Sequence, residues 1–266
     1  MPDILAEIFE RKARRRREEE RRIPYDDLVR IAGDRRHDRR DFLAALERAQ
    51  GIAMIAEIKR ASPSAGTIAE HFDPVAVAQR YTAAGVDAIS VLTEEESFLG
   101  DIRYLDLVRA VSSAPLLRKD FIATPYEVVA SAAAGADAIL LIVAALSDDR
   151  LRACLDEAER CELAALVEVH DERELERATA LGARIIGVNN RNLRSLDVDL
   201  ATGERLLPRV PKHRFAVGES GMRDERDVLR LARAGARGVL IGEALMRDGQ
   251  PERKIAAIRE ALRSPR

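Results

Sequence analysis

Glu57 and Lys59 stand two residues apart at the end of an apolar run, Ile52-Ala-Met-Ile-Ala-Glu-Ile-Lys59. Strand side chains alternate between faces, so the acid and the amine leave the strand on the same side. Opposite charges on a buried strand are costly unless they pair or serve a site. Two readings fit this stretch alone: a structural ion pair closing a barrel mouth, or a pair that moves protons. The chain then breaks at Ser62-Pro63-Ser64-Ala65-Gly66, a turn-rich loop. Polar residues end the later apolar runs too: Ser90 with Thr93 and Glu94, Lys119 with Asp120, Glu168, Asn189 with Asn190 and Arg191, Glu219-Ser220-Gly221, and Gly242-Glu243. Lysines beside glutamates can serve as acids and bases, because proximity and burial move their pKa values. One ionisable strand end means little; a converging set predicts a site for a charged or polar small molecule.

The elements that must position these residues follow from the hydrophobic pattern. Strands are expected at 52–59, 86–92, 115–120, 137–143, 163–169, 184–189, 214–220 and 237–242. Helices are expected between and after them, at 73–84, 101–112, 125–134, 147–161, 171–181, 199–207, 223–234 and 251–263. Ala84-Gly85, Ala134-Gly135, Leu181-Gly182 and Ala234-Gly235 are helix stops, since Gly accepts the left-handed backbone there. Apolar strands alternating with helices predict parallel strands with right-handed crossovers. The simplest closure is an α/β fold of the TIM type, a (β/α)8 barrel with an N-terminal helical extension. An open doubly wound sheet is the alternative, but no glycine-rich dinucleotide turn follows an early strand. The expected organisation is a single barrel domain over residues 1–266, with residues 1–50 as the helical extension.

Residues 2–22 read as a charged helix with one apolar stripe, Ile4, Leu5, Ile8 and Phe9. Arg14 and Glu18, then Glu18 and Arg22, stand four apart, so a solvated face of self-neutralising charges is expected rather than a patch for an acidic partner. Another short helix is expected from Asp41 to Gln50. The formal charge of −2 predicts no nucleic-acid or anionic-membrane partner. The longest apolar run, Ala138 to Leu146, is too short for a bilayer, and the charged N-terminus is no secretory signal; a cytoplasmic location is expected. Cys154 and Cys161 read as reduced, partly buried thiols on one helix face. His37, His71, His170 and His213 form no metal-binding pair, so no metal is expected, and His170 reads as a rim or core histidine.

The last two strand ends narrow the ligand. Gly221 and Gly242 would open backbone N–H groups where barrels of this class commonly seat a phosphate, with Ser62 donating from the other side. At this point the motifs resemble those of the indole-3-glycerol phosphate synthase family. They are Glu57-Ile-Lys-Arg-Ala-Ser-Pro-Ser64, Ser90-Val-Leu-Thr-Glu94, Leu117-Arg-Lys-Asp-Phe121, Val167-Glu-Val169, Gly187-Val-Asn-Asn-Arg-Asn-Leu193, Gly218-Glu-Ser-Gly221 and Ile241-Gly-Glu-Ala-Leu-Met246. The first motif and Val188-Asn-Asn-Arg-Asn-Leu193 are specific; the glycine motifs are shared by many phosphate-binding barrels.

The resemblance implies a cofactor-free lyase of tryptophan biosynthesis acting on a phosphosugar–anthranilate, 1-(2-carboxyphenylamino)-1-deoxyribulose 5-phosphate. It implies Lys119, Glu168, Lys59, Glu57, Asn189 and Ser220 as the catalytic set, with Lys119 as the acid for ring closure and Glu168 and Lys59 as candidates for dehydration. Ser90 and Glu219 would help position the substrate, Arg191 would meet its carboxylate, and Phe121, Leu193 and Pro63 would wall the benzene ring. Ser62, Ser220, Gly221, Gly242 and Glu243 would hold the phosphate, Glu243 through its backbone N–H. A monomer is expected, with a weak dimer as the alternative. The competing readings are a Schiff-base aldolase using Lys119 or Lys59, a related isomerase, which would want a Cys and an Asp at strand ends, and a non-enzymatic scaffold.

Overall fold

The computed structural model describes residues 4–193 and 195–263. Eight parallel strands close a barrel: β1 (Ala53–Ile58), β2 (Ala88–Leu92), β3 (Leu116–Lys119), β4 (Ala138–Ile142), β5 (Ala164–Val169), β6 (Ile185–Asn189), β7 (Phe215–Glu219) and β8 (Gly238–Ile241). Neighbours pair in chain order, and β8 pairs with β1 to close the ring. The expected strands are all present, trimmed by a residue or so at the ends where ladder bonding stops.

Alternation along the strands sorts the core in two. Ala53, Ile55, Leu117, Leu140, Leu166, Ile185, Val217 and Leu240 fill the barrel interior. Met54, Ile89, Leu116, Ile139, Val167, Ile186 and Val239 face outward and pack with the helices. Continuing the inward row by two residues reaches Glu57 on β1, Lys119 on β3, Glu168 on β5 and Glu219 on β7, and on β6 the row runs from Ile185 through Gly187 to Asn189. The same alternation that packs the interior thus delivers the polar set to one end.

The helices start where side chains cap them. Asp73 accepts from Val75 and Ala76 N–H at 2.9 and 3.2 Å before α4 (Pro74–Ala83). Ser147, Asp171 and Asp224 cap α7 (Asp148–Arg160), α8 (Glu172–Ala180) and α10 (Glu225–Arg233) in the same manner. Each such cap contributes about 1 kcal/mol. Between them lie α5 (Tyr104–Arg109), α6 (Pro125–Ala133) and α9 (Ala201–Leu206). The short α11 (Glu243–Met246) and the final α12 (Pro251–Arg263) follow β8. Helix α5 is much shorter than its expected span of 101–112; Asp101 to Arg103 form a side-chain-bonded turn instead.

The extension before the barrel wraps it from mouth to base. Helix α1 (Ile4–Arg22) lies over the mouth, where Leu5 and Ile8 join the wall of the central cavity. Residues 2 and 3 of the expected helix, and the Ile4 side chain, lie outside the described residues. Helix α2 (Tyr25–Asp34) was not legible in the sequence; Leu28 and Ala32, one turn apart, bury one edge of it in the outer core, where it packs on α6. Helix α3 (Phe42–Glu47) plugs the base, with Phe42 and Leu46 inside the interior cluster.

The charges of α1 correct the expectation of self-neutralisation. Arg14–Glu10 and Arg15–Glu19 do pair along the helix, at 3.0 and 2.9 Å. The inward side, however, reaches the barrel loops. Arg11 pairs with Glu94 at 2.8 Å and Glu96 at 3.0 Å, Arg15 with Glu95, Arg16 with Glu127, and Lys12 with the buried Asp120. Helix-surface spacing alone shows only partners on the same helix, so these long-range ones were invisible in the sequence.

Candidate active site

A cavity of about 590 Å³ opens at the C-terminal end of the barrel, under α1. At its floor, Lys59 Nζ lies 2.8 Å from Glu57 Oε1. Across the barrel, Lys119 Nζ lies 3.2 Å from Glu168 Oε2 and 3.5 Å from Glu219 Oε2. Two ammonium groups and three carboxylates, all largely buried, therefore share one pocket. Burial opposes the charge on Lys119, but Glu168, Glu219 and Glu57 together outweigh it and hold the ammonium above its ordinary range. Burial would also raise Glu168, yet Lys119 and then His170 pull it well below the usual carboxylate range. Glu219 goes the other way. Burial, with Glu168 and Glu57 nearby, pushes it up to about 8 against the pull of Lys119. Neighbouring carboxylates with pKa values driven apart are the pattern of a divided acid–base site.

Room for these groups is made by missing side chains. A methyl group on Gly187 would overlap Oε1 of Glu219, and one on Gly242 would overlap Oε1 of Glu57. Gly242, expected only at the phosphate, thus also leaves room for the Glu57 carboxylate.

Pro63, Phe121 and Leu193 line the cavity, and Leu5, Ile8, Phe98 and Met222 add to its apolar lining. Phe9 meets Phe121 edge-on at 5.6 Å, and Phe98 packs on it at 6.0 Å. Arg191 also lines the cavity; its backbone N–H donates to Asn189 Oδ1 at 3.0 Å, and Nη1 donates to Leu196 O at 2.9 Å. Ser62, Ser220, Gly221, Gly242 and Glu243 line the cavity too, joined by Arg223, Arg247 and Lys254. Those three cations were missed in the sequence, because they sit on the rim and on α12 rather than at strand ends.

The chain belongs to the indole-3-glycerol phosphate synthase family. The family model described as indole-3-glycerol phosphate synthase matches residues 5–258. A relative so named from a Nocardioides species is 55% identical over 205 residues, covering 77% of this chain and 79% of its own. Another, from Alkaliphilus metalliredigens, is 43% identical over 259 residues, covering 97% of this chain and 99% of its own. Among solved structures, 3-hexulose-6-phosphate synthase from Salmonella typhimurium superposes with a TM-score of 0.64 at 15% identity, over 79% of this chain and 98% of that one. At that identity the likeness shows the shared barrel alone.

The loop after β7 turns through a left-handed backbone. Ser220 has φ of 60° and Gly221 of 86°, two successive left-handed residues. Ser220 has a Cβ and therefore carries strain there. Asn190 offsets it: its Nδ2 donates to Glu219 O at 2.8 Å and Ser220 O at 3.0 Å, while Oδ1 accepts from Gly203 N–H at 2.8 Å. Asn190 is thus a brace for the rim.

Ser90 is the predicted site residue that the structure keeps off the cavity wall. It is fully buried on the inward row of β2, one step below Leu92, which does line the cavity. Its hydroxyl has no hydrogen-bond partner among the described residues. Strand periodicity gives its face but not its depth below the rim. Thr93 and Glu94, also read at that strand end, turn to Asp120, at 2.7 Å, and to Arg11 instead.

His170 turns out to touch the site. Its Nε2 lies 3.3 Å from Glu168 Oε1, and its Nδ1 lies 3.0 Å from Glu174 Oε2. It sits two residues beyond Glu168, so the period of two was the signal that could have found it. The cysteines behave as expected of inert thiols: burial pushes Cys154 up to about 12 and Cys161 up to about 11. Among the described residues no group of three His, Cys, Asp or Glu side chains could hold a metal ion.

Proposed function

We propose that this pocket closes the indole ring with Lys119 as the first acid, Glu168 as the base and Lys59 as the second acid. Family membership makes the chain a carbon–carbon lyase of tryptophan biosynthesis. It converts 1-(2-carboxyphenylamino)-1-deoxyribulose 5-phosphate to indole-3-glycerol phosphate, carbon dioxide and water. The carboxylate-bearing ring carbon attacks the ribulose carbonyl, and Lys119 protonates the alkoxide that forms. Loss of carbon dioxide then returns the bonding pair to the ring. Dehydration removes the new hydroxyl as water with a proton from Lys59, while Glu168 takes a proton on the nitrogen side.

The observation that carries this reading is the placement of Lys119 between two carboxylates of opposite tendency. An ammonium so held is a weak acid at rest. It becomes a better one as it turns from Glu168 toward the substrate, and the same movement frees Glu168 to act as a base. Arg191 suits the substrate carboxylate, since a planar donor fork matches it. Phe121, Leu193 and Pro63 would cover the ring. Ser62, Ser220 and the backbone of Gly221, Gly242 and Glu243 would hold the phosphate, and Glu57 and Asn189 would orient the lysine and the sugar.

We further infer that the whole chain works as one domain, because Leu5 and Ile8 of α1 complete the cavity. No helix among the described residues is long and apolar enough to cross a membrane. A cytoplasmic, monomeric enzyme fits this reading, and sedimentation at working concentration tests the second term.

The deciding experiment is a fluorescence assay for indole product from the anthranilate–ribulose substrate. Product formation is expected, and its absence would sink the assignment of this site. Borohydride in the presence of substrate is expected to trap nothing, whereas a Schiff-base aldolase would be captured on Lys119 or Lys59. Gly221→Asp is expected to weaken substrate and product alike by charge repulsion, and Gly221→Ala controls for backbone strain at its φ of 86°. An unchanged KM in the Asp variant would move the phosphate elsewhere.

A further inference from the structure

Glu168 presents its two oxygens to different cations. Oε2 faces Lys119 at 3.2 Å, and Oε1 faces His170 Nε2 at 3.3 Å. The imidazole is itself anchored from behind. Its Nδ1 lies 3.0 Å from Glu174 Oε2, the same atom that accepts the His170 backbone N–H at 2.8 Å. Nε2 is buried and lacks the alignment of a hydrogen bond to Glu168, and it has no other partner among the described residues. An imidazole between two carboxylates, with each ring nitrogen facing an acid, is arranged as a cation. Burial works against that charge, but Glu168 and Glu174 outweigh it and raise the group to about 10.

The surroundings explain why such a cation is needed. Lys119 on β3 and Glu219 on β7 face Glu168, Asn189 on β6 bonds to it, and β4 offers only the apolar Ile142 in register. When Lys119 turns to the substrate, Glu168 is left beside Glu219 and a substrate that carries a phosphate and a carboxylate. Without a second cation it would take up a proton and cease to be a base.

We propose that His170 is a positioning residue for the reaction: its imidazolium, anchored by Glu174, holds Oε1 of Glu168 and keeps that carboxylate ionised while Lys119 is engaged. This rests on the reading of Glu168 as the base. His170 does not line the cavity; it acts through Glu168 and does not touch the substrate.

The test is the pH dependence of kcat and KM in His170→Gln, with Glu168→Gln alongside. Loss of the cation raises the pKa of Glu168, so the acid limb of kcat moves to higher pH by about one unit or more, with KM changed less than about twofold. Glu174→Gln keeps the imidazole but removes its anchor. It moves the limb the same way by less, and it serves as the test should His170→Gln fail to fold. An acid limb that stays in place overturns the proposal, whatever kcat does. The two ideas fail separately. An active Glu168→Gln enzyme rejects the base itself. An inactive one, beside an unmoved limb in His170→Gln, rejects only the clamp.

Discussion

Lys119 holds its proton because three carboxylates surround it, and that makes its loss specific to chemistry. Lys119→Met keeps the stem and removes the charge. Turnover is expected to fall by several orders of magnitude, about 10³-fold or more, while the substrate still binds; single-turnover kinetics with a binding titration would show it. Near-normal turnover would remove Lys119 from the mechanism. Gly187 gives a second prediction at this scale. An added methyl group would overlap Oε1 of Glu219 and crowd Leu166 Cδ1 at 3.2 Å. The displaced carboxylate is the free end of a flexible side chain, so the strain is relieved by moving it. Gly187→Ala is therefore expected to keep its fold while kcat drops at least about tenfold, a barrier increase of about 1.4 kcal/mol. A fully active Gly187→Ala enzyme would show that Glu219 has no fixed task.

Among the elements, α1 joins stability to function. Its apolar residues Leu5 and Ile8 line the cavity, Phe9 meets Phe121, and its basic residues bind loops after β2 and β3. Burial would raise Asp120, but Lys12 and Arg118 hold it well below the usual range, and Thr93 also donates to it. Asp120→Asn leaves the Arg118 guanidinium buried beside a neutral partner, with Thr93 and Ser131 still bonded to it. That change is expected to cost about 3 kcal/mol in urea unfolding. Arg15→Ala breaks a far more exposed pair with Glu95 and should cost less than about 1 kcal/mol. Removing residues 1–22 is expected to leave the barrel folded by circular dichroism and to raise KM about tenfold, since a ring contact worth about 1.4 kcal/mol is lost. An unchanged KM in the truncated chain would mean that α1 is a lid without substrate contact.

For the whole molecule, the buried ionisable groups set how stability varies with pH. His170, at about 10 against an ordinary 6.5, is raised by folding. Its contribution is complete below 6.5 and is lost as pH rises through about 10. Glu219, at about 8 against 4.5, is also raised, so its contribution is complete below 4.5 and declines up to about 8. Glu168 and Asp120 are depressed by folding; theirs is present above the ordinary carboxylate range and lost as pH falls through their folded values. Stability to urea is therefore expected to peak near the top of the carboxylate range and to decline steadily toward pH 10. In His170→Gln that decline should be shallower above pH 6.5, and an identical slope would show that the histidine is already neutral.

The sequence alone was enough for the barrel, because each strand and helix announces itself by a local period of two or 3.6 and by its caps and stops. It also placed Glu57, Lys59, Lys119, Glu168, Asn189 and Glu219 at one end, since parallel strands in a closed ring share a direction. Tertiary structure alone decided the rest. Helix α2 has one short apolar edge, meaningful only against α6. The base of the barrel is filled by Phe42 and Leu46 from α3, far from any strand in their local pattern. Ser90 and Leu92 differ by one layer of depth, which pattern does not encode. The arginines of α1 and the His170 clamp depend on which charges meet across distant segments, and Coulomb energies follow separation in space.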